Sequence, residues 1–413
     1  MTNLRPILGL SAAHMVTDIY SPVLSAILPL LILQYGYSYF FAGLIVTVWN
    51  LTSSFTQPLF GWLSDRRNFG VPVKYTILIC AFFISCIGFI TNYWLTLLFA
   101  VCAALGHALF HPSALSLVSR LASGPNRGRL TTFFVVGGNI GFAIGPLIAG
   151  VLVTLWGLPG LVLMIIPGIC MAVVLHVIIP RGSYKPPAVP APASAPAPPS
   201  PVPEPAPVPS SSSSAAPVQS GFRQYHGISL LITGSALRAW GIFGSVAFLP
   251  AYLSMVRGFD LAVANIIVSG VLIAGVIGQL VVGTLSDTHG RKELVLLFTL
   301  LAIPFFIAAL TLSGTLSLVC LILFGFCLWS SFSTTVAMSH EMMPGSPGFT
   351  SGLMLGLAVG AGGLGVAVSG YIADIAGLPL AMFLISVPVA VSLIFFAAVP
   401  YPWKNSRKNR QTV

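Results

Sequence analysis

Apolar stretches of about 20 residues, each long enough to cross roughly 30 Å of hydrocarbon as a helix, recur from residue 7 to residue 400. Twelve can be delimited: 7–33, 40–63, 73–91, 94–119, 131–155 and 158–179 in the first half, then 226–254, 262–285, 293–313, 315–339, 350–373 and 379–400. The runs are continuous and do not alternate between apolar and polar positions, so they predict helices and not the strands of a barrel. The expected fold is an all-α membrane protein of twelve transmembrane helices.

A short polar loop punctuates this pattern twice, 222 positions apart. It reads Gln57-x3-Gly61-x-Leu63-Ser64-Asp65-Arg66-Arg67 in the first copy and Gln279-x3-Gly283-x-Leu285-Ser286-Asp287 in the second, which continues as Gly290-Arg291-Lys292. Each copy closes an apolar run of spanning length, so the duplication predicts two pseudo-symmetric six-helix bundles. In membrane proteins such repeats belong to transporters whose site lies between the halves. Gly61 and Gly283 let a helix end come close to a neighbour, while Asp65, Arg66, Asp287 and Arg291 face the membrane edge. A latch that joins the halves in one state and releases them in another is expected there. Gly137-Gly138-Asn139-x-Gly141-x3-Gly145-Pro146-x3-Gly150 and the looser Gly360-x-Gly362-Gly363-x-Gly365-x4-Gly370 place glycines at helical spacing. Close packing and gating at a Pro146 kink are both open readings of Gly145 and Pro146.

Composition narrows the class. With 56% hydrophobic and 6% charged residues among 413, little polar surface remains for a water-soluble globule. The net charge of +10 would suit nucleic acid, but the basic residues are distributed by side. With a cytoplasmic N-terminus, Arg257 is the single cation on the far side, and the positive-inside rule puts both termini in the cytoplasm of an inner (plasma) membrane. The basic stretch Lys404 to Arg410 is then attracted to anionic lipid. Residues 186–220 hold 13 of the 32 prolines and a serine run, the composition of an extended tether. The chain is thus expected to divide into a bundle at 1–180, a disordered linker at 181–222, a bundle at 223–403 and a tail at 404–413. The first apolar run carries His14 and Asp18 and lacks a cleavage site, so it reads as a span and not a signal peptide. All six cysteines fall within spans without a CxxC, as small core residues do. No GxxxxGK[ST] loop is present and the soluble segments are too short for a catalytic domain. The reading is no enzyme and no cofactor, with energy drawn from a gradient.

Charges within the spans carry the candidate chemistry. An ionisable side chain in hydrocarbon costs several kcal/mol unless it faces a cavity or a partner. His14 and Asp18 share a helix face with Ser11, Ser21 and Ser25, and Pro22 predicts a bend beside them. Asp18 is expected to take and release a coupling proton with His14 tuning or relaying it; the alternative is a satisfied pair that fixes packing. Arg238, in span seven, needs an anion: Asp18 across a cavity, a group on the substrate, or another buried acid. His107 and His111 sit four apart before Pro112. Two imidazoles can begin a metal site, but no third and fourth ligand is visible at motif spacing, so no metal is expected and cavity lining is preferred. Asn50, Ser53 and Gln57 on span two, Asn139 on span five, and Trp329 with Ser330 to Thr335 on span ten read as cavity walls or interhelical hydrogen-bonding groups. His340-Glu341 reads as a surface or latch pair.

The paired loops resemble the signature of the major facilitator superfamily, and Gly145-Pro146 resembles the fifth-helix motif of its drug antiporters. Ser11-x2-His14-x3-Asp18, Gln57-Pro58, Phe110-His111-Pro112, Val136-Gly137-Gly138-Asn139 and the stretch from Met343-Pro344-Gly345 to Asp374 are similar to the fosmidomycin-resistance proteins. The resemblance spans both halves and departs at the Pro/Ser-rich linker. It implies a proton-driven exporter of a drug or metabolite; a monomer is the separate expectation for the chain. Proton-coupled uptake of an organic anion or metal chelate would use the same residues, and a receptor that has lost transport is a third reading.

Overall fold

In lipid every backbone N–H and C=O must be satisfied within the chain, which leaves helices as the form for these apolar runs. The computed structural model describes residues 4–67, 71–121, 127–179, 221–346 and 350–403, and all twelve predicted runs are helical in it. The first half comprises α1 (Leu4–Ile19), α2 (Val23–Tyr35), α3 (Tyr39–Arg67), α4 (Val73–Cys86), α5 (Tyr93–Leu121), α6 (Arg127–Trp156) and α7 (Ile165–Ile178). The second comprises α8 (Gly221–Ala251), α9 (Leu261–His289), α10 (Arg291–Thr311), α11 (Gly314–Met342), α12 (Val359–Ala376), α13 (Leu378–Leu384) and α14 (Ser386–Ala398). Ten of these helical stretches meet a strict length and hydropathy requirement for crossing a membrane.

The bend expected at Pro22 divides the first span into α1 and α2. Pro22 has no N–H to give the Asp18 carbonyl, and the N–H of Ser21 donates to it at 3.2 Å instead. The predicted linker and tail lie outside the described residues, except that residues 221 and 222 already begin α8.

The two halves repeat one packing pattern. In the first, α1 packs on α6 and α7, α3 and α4 pack on α5, and α4 packs on α7. In the second, α8 packs on α12 and α14, α9 and α10 pack on α11, and α10 packs on α14. Across the halves α3 meets α12, α6 meets α9, and α2 meets α8. Side chains such as Val177, Ile375 and Ile394 stay exposed on the outside, as a surface solvated by acyl chains requires.

Several hydrogen bonds join the halves toward the end opposite the termini. The Asp374 carboxylate accepts from the N–H groups of Tyr39 at 2.7 Å and Phe40 at 3.0 Å, capping the start of α3 from the other bundle. Thr47 donates to the Gly363 carbonyl at 3.0 Å and accepts from the Ala367 N–H at 3.0 Å. Ser269 accepts from the Leu147 N–H at 2.9 Å, and Asn265 donates to the Ala26 carbonyl at 3.2 Å.

Candidate functional site

The polar faces of both bundles turn onto one cavity of about 320 Å³, within the size range of small-molecule sites. His14, Asp18, Asn50, Gln57, His107, His111 and Asn139 line it from the first bundle, and Arg238, Gln279 and Trp329 from the second. Every residue expected to bind substrate or a proton is therefore in one place. The π-helical turn Gly352–Ala358, ahead of α12, adds Met354, Leu355 and Ala358 to the wall; such irregular turns concentrate at functional sites.

Asp18 is the hub of the first bundle's chemistry. Nε2 of His14 lies 3.2 Å from its Oδ2, while Nε2 of His107 and of His111 lie 3.3 and 3.6 Å from its Oδ1. The two α5 imidazoles are themselves 3.2 Å apart through their Nε2 atoms. Their orientation is enforced from behind. Nδ1 of His14 is 2.7 Å from the Phe134 carbonyl, which can only accept, so that nitrogen carries hydrogen and Nε2 is the atom turned to Asp18. Nδ1 of His107 is 2.9 Å from the Ser53 hydroxyl, which also accepts from the Gln57 amide at 3.3 Å. Phe134 stacks on the His14 ring at 4.2 Å between centroids. Oδ1 of Asp18 is buried without a hydrogen bond of good geometry.

Glycines make this cluster possible. Side chains added at Gly137, Gly141 and Gly145 of α6 would place Cβ within 2.4, 2.0 and 2.5 Å of the Ser11, Met15 and Ile19 carbonyl oxygens. The fourth-residue spacing thus seats α6 directly on α1. A Cβ at Gly138 would lie 2.4 Å from Nε2 of His14 and 2.6 Å from Oδ2 of Asp18. Gly145 thus sits in close contact with α1, with Pro146 following inside α6.

Arg238 is 1% exposed and sits in a cradle built by α11. Its NH1 donates to the Ser331 hydroxyl at 2.9 Å, and its NH2 faces the Thr335 hydroxyl at 3.4 Å. The guanidinium lies 5.8 Å from the Phe332 ring, and its buried Nε has no hydrogen-bond partner. The sequence reading allowed Asp18 or another buried acid as its counter-ion. Among the described residues no carboxylate pairs with Arg238; Asp18 is held by its three histidines. Trp329 completes this wall, 5.5 Å from Phe142 between ring centroids and against Gly275.

Two features read from the sequence take a definite form in the structure. The second copy of the repeated loop bridges within its own half: Arg291 at the start of α10 reaches Asp287 near the end of α9 at 3.0 Å, and Glu341 of α11 at 3.0 Å. Glu341 also accepts from Tyr401, and Lys292 donates to the Ala397 and Val399 carbonyls at 2.7 and 2.8 Å. These bonds brace the second bundle, while Asp374 and Thr47 link the two bundles toward the far end. Gly283 comes close to Ser333, whereas a Cβ at Gly61 would touch nothing within 4 Å. The side chains of Asp65 and Arg66 lie outside the described residues. Second, the third and fourth partners missing beside His107 and His111 exist: they are Asp18 and His14, brought in from α1 by tertiary packing.

Comparison with known proteins agrees with this architecture. The family model of the Major Facilitator Superfamily matches residues 8–363 and 231–412. The fosmidomycin resistance protein of Escherichia coli (strain K12) is 29% identical over 376 residues, 89% of this chain and 86% of that one. The uncharacterized MFS-type transporter YfnC of Bacillus subtilis (strain 168) is 28% identical over 410 residues, 96% and 93% of the two chains. The fold is similar to that of a bacterial homolog of the human lysosomal transporter Spinster in an inward-facing, occupied conformation, with TM-score 0.75 and 18% identity over 95% of this chain and 96% of that one. It is also similar to a D-xylose–proton symporter, with TM-score 0.70 and 12% identity over 97% and 98%. This multi-pass membrane protein, with its duplicated bundle and shared central cavity, belongs to the Major Facilitator Superfamily.

Proposed function

We propose that the chain is a secondary active transporter that exports a small organic anion in exchange for protons, by alternating access of the central cavity. The observation that carries the reading is the division of charge across that cavity. A buried guanidinium, cradled by hydroxyls and with its Nε–H unbonded, faces a substrate-sized space from one bundle. A carboxylate ringed by imidazoles faces it from the other.

A phosphonate or carboxylate would give Arg238 the counter-charge and bidentate acceptors that its hydroxyl partners do not supply. The coupling proton belongs between His14 and Asp18. With Nδ1–H committed to Phe134, the facing Nε2 and carboxylate oxygen are both acceptors unless a proton sits between them. Loss of that proton sets two lone pairs against each other at 3.2 Å, which favours rearrangement of the bundle. The similarity to a fosmidomycin resistance protein supports export as the direction. The hydrogen bonds from Asp374 and Thr47 support a state in which the end opposite the termini is closed.

Purified protein in proteoliposomes with an imposed pH gradient tests the reading. Phosphonate should move against the direction of proton flow. Movement of substrate with protons would replace export by uptake, and no flux of phosphonate, phenicol or cationic compounds under any gradient would overturn transport.

A further inference from the structure

We propose that Asp18, His107 and His111, with His14 as the nearest fourth donor, form a binding site for a transition-metal ion of the Zn²⁺ class. The site uses the side chains of the proton reading but does not depend on that reading or on the direction of transport.

The geometry is that of a preformed three-donor floor. A tetrahedral ion with bonds of about 2.0–2.1 Å spaces its ligand atoms about 3.3 Å apart. Oδ1 of Asp18, Nε2 of His107 and Nε2 of His111 are separated by 3.3, 3.6 and 3.2 Å. His14, Asp18 and His111 also present donor atoms within 4.8 Å of one another, so His14 is placed as the next donor beside the three. Without an ion, the His107 and His111 nitrogens and the carboxylate oxygen crowd together while Oδ1 lacks a well-formed hydrogen bond. An ion between them satisfies all three lone pairs at once.

The outer shell is present too. A metal-ligating histidine ordinarily donates its other N–H to a carbonyl or another acceptor, which fixes the ring and its tautomer. His14 does this to Phe134, and Ser53 holds Nδ1 of His107. All four donors line the cavity, which supplies an entry path. Imidazoles with a single carboxylate select Zn²⁺, Co²⁺, Ni²⁺ or Cu²⁺ over Mg²⁺ and Ca²⁺.

The test uses full-length protein carrying no histidine tag, titrated with Co²⁺ in detergent at fixed pH and followed by its visible d–d absorption. One ion per chain with the intense bands of four-coordinate Co²⁺, displaced by Zn²⁺ and not by Mg²⁺, is the expected result. The His107→Gln/His111→Gln variant should lose those bands. A variant with His176, His226, His289 and His340 all changed to alanine should keep them. Should the double glutamine variant fail to elute as a single species, Ser53→Ala reports instead, with affinity lowered by roughly 10-fold or more as loss of an outer-shell bond gives. Absence of the bands in the parent protein overturns the site. So do bands that survive in the double glutamine variant, unchanged affinity in Ser53→Ala, or bands that vanish in the four-alanine variant. Because no gradient or organic substrate is present, the outcome is separable from that of the transport assay.

Discussion

The offset of 222 residues that relates the two loops carries the His14–Asp18 turn of α1 onto residues 236–240 of α8, where Arg238 is the charged residue. The two bundles thus put a charge in the corresponding helical turn of the repeat, two positions out of register, with opposite sign and different upholstery. The first surrounds its carboxylate with rings that titrate or ligate. The second surrounds its guanidinium with hydroxyls that do neither. Duplication supplies the placement of a group at the cavity, and divergence of the neighbouring helices, α5 in one half and α11 in the other, decides what that group can do. Neither charge is cancelled by the other, so each remains open to its own small partner.

The largest expected effect comes from removing the first charge. Asp18→Asn should lower proton-driven flux in vesicles by about 100-fold, as about 3 kcal/mol of lost coupling gives; intact flux would remove Asp18 from coupling. Gly138→Ala should come next. Its Cβ would meet both His14 and Asp18, and overpacking of this kind costs about 1–3 kcal/mol. Flux should fall at least about tenfold in protein that still elutes as a single species, and wild-type flux would show the cluster to be pliable. On the other side, Arg238→Lys keeps the charge but loses the planar fork. Binding of a phosphonate, measured by calorimetry, should weaken about tenfold while a neutral compound is little affected; equal loss of both would argue against anion recognition. Ser331→Ala should be mildest, with about a fivefold loss for the phosphonate, the value of one hydrogen bond of about 1 kcal/mol. A larger effect than that of Arg238→Lys would invert the order and make the hydroxyls the principal recognition group.

Much of this was legible in the chain. Continuous apolar runs and a repeated loop suffice for twelve helices in two halves, because lipid leaves the backbone few alternatives. Pro22 announced the break between α1 and α2 through its missing N–H. Asp18, His14 and Arg238 stood out because charges are rare in such runs. The union of α5 with α1 was not legible. Ninety-odd positions separate Asp18 from His111, and only packing of α1, α5 and α6 brings them together; the small-residue pattern of α6 was the available hint. The direction of the second loop's ion pairs was equally hidden, since a charged turn reads the same whether its partner is Glu341 in its own bundle or a group in the other.

The seating of α6 on α1 divides the molecule into distances that stay and distances that change. Three glycines resting on three carbonyl oxygens leave no room for sliding, so these helices should travel as a single body. Asp374 holds the start of α3 by hydrogen bonds from one bundle to the other, beside Gly370 seated on the Tyr39 carbonyl and the Phe40–Tyr371 ring contact, and these must part if the far end opens. Spin labels placed on the outer faces of α1 and α6 would then act as a fixed ruler. A second pair near residues 39 and 374 would act as the clock hand that marks each turn of the cycle.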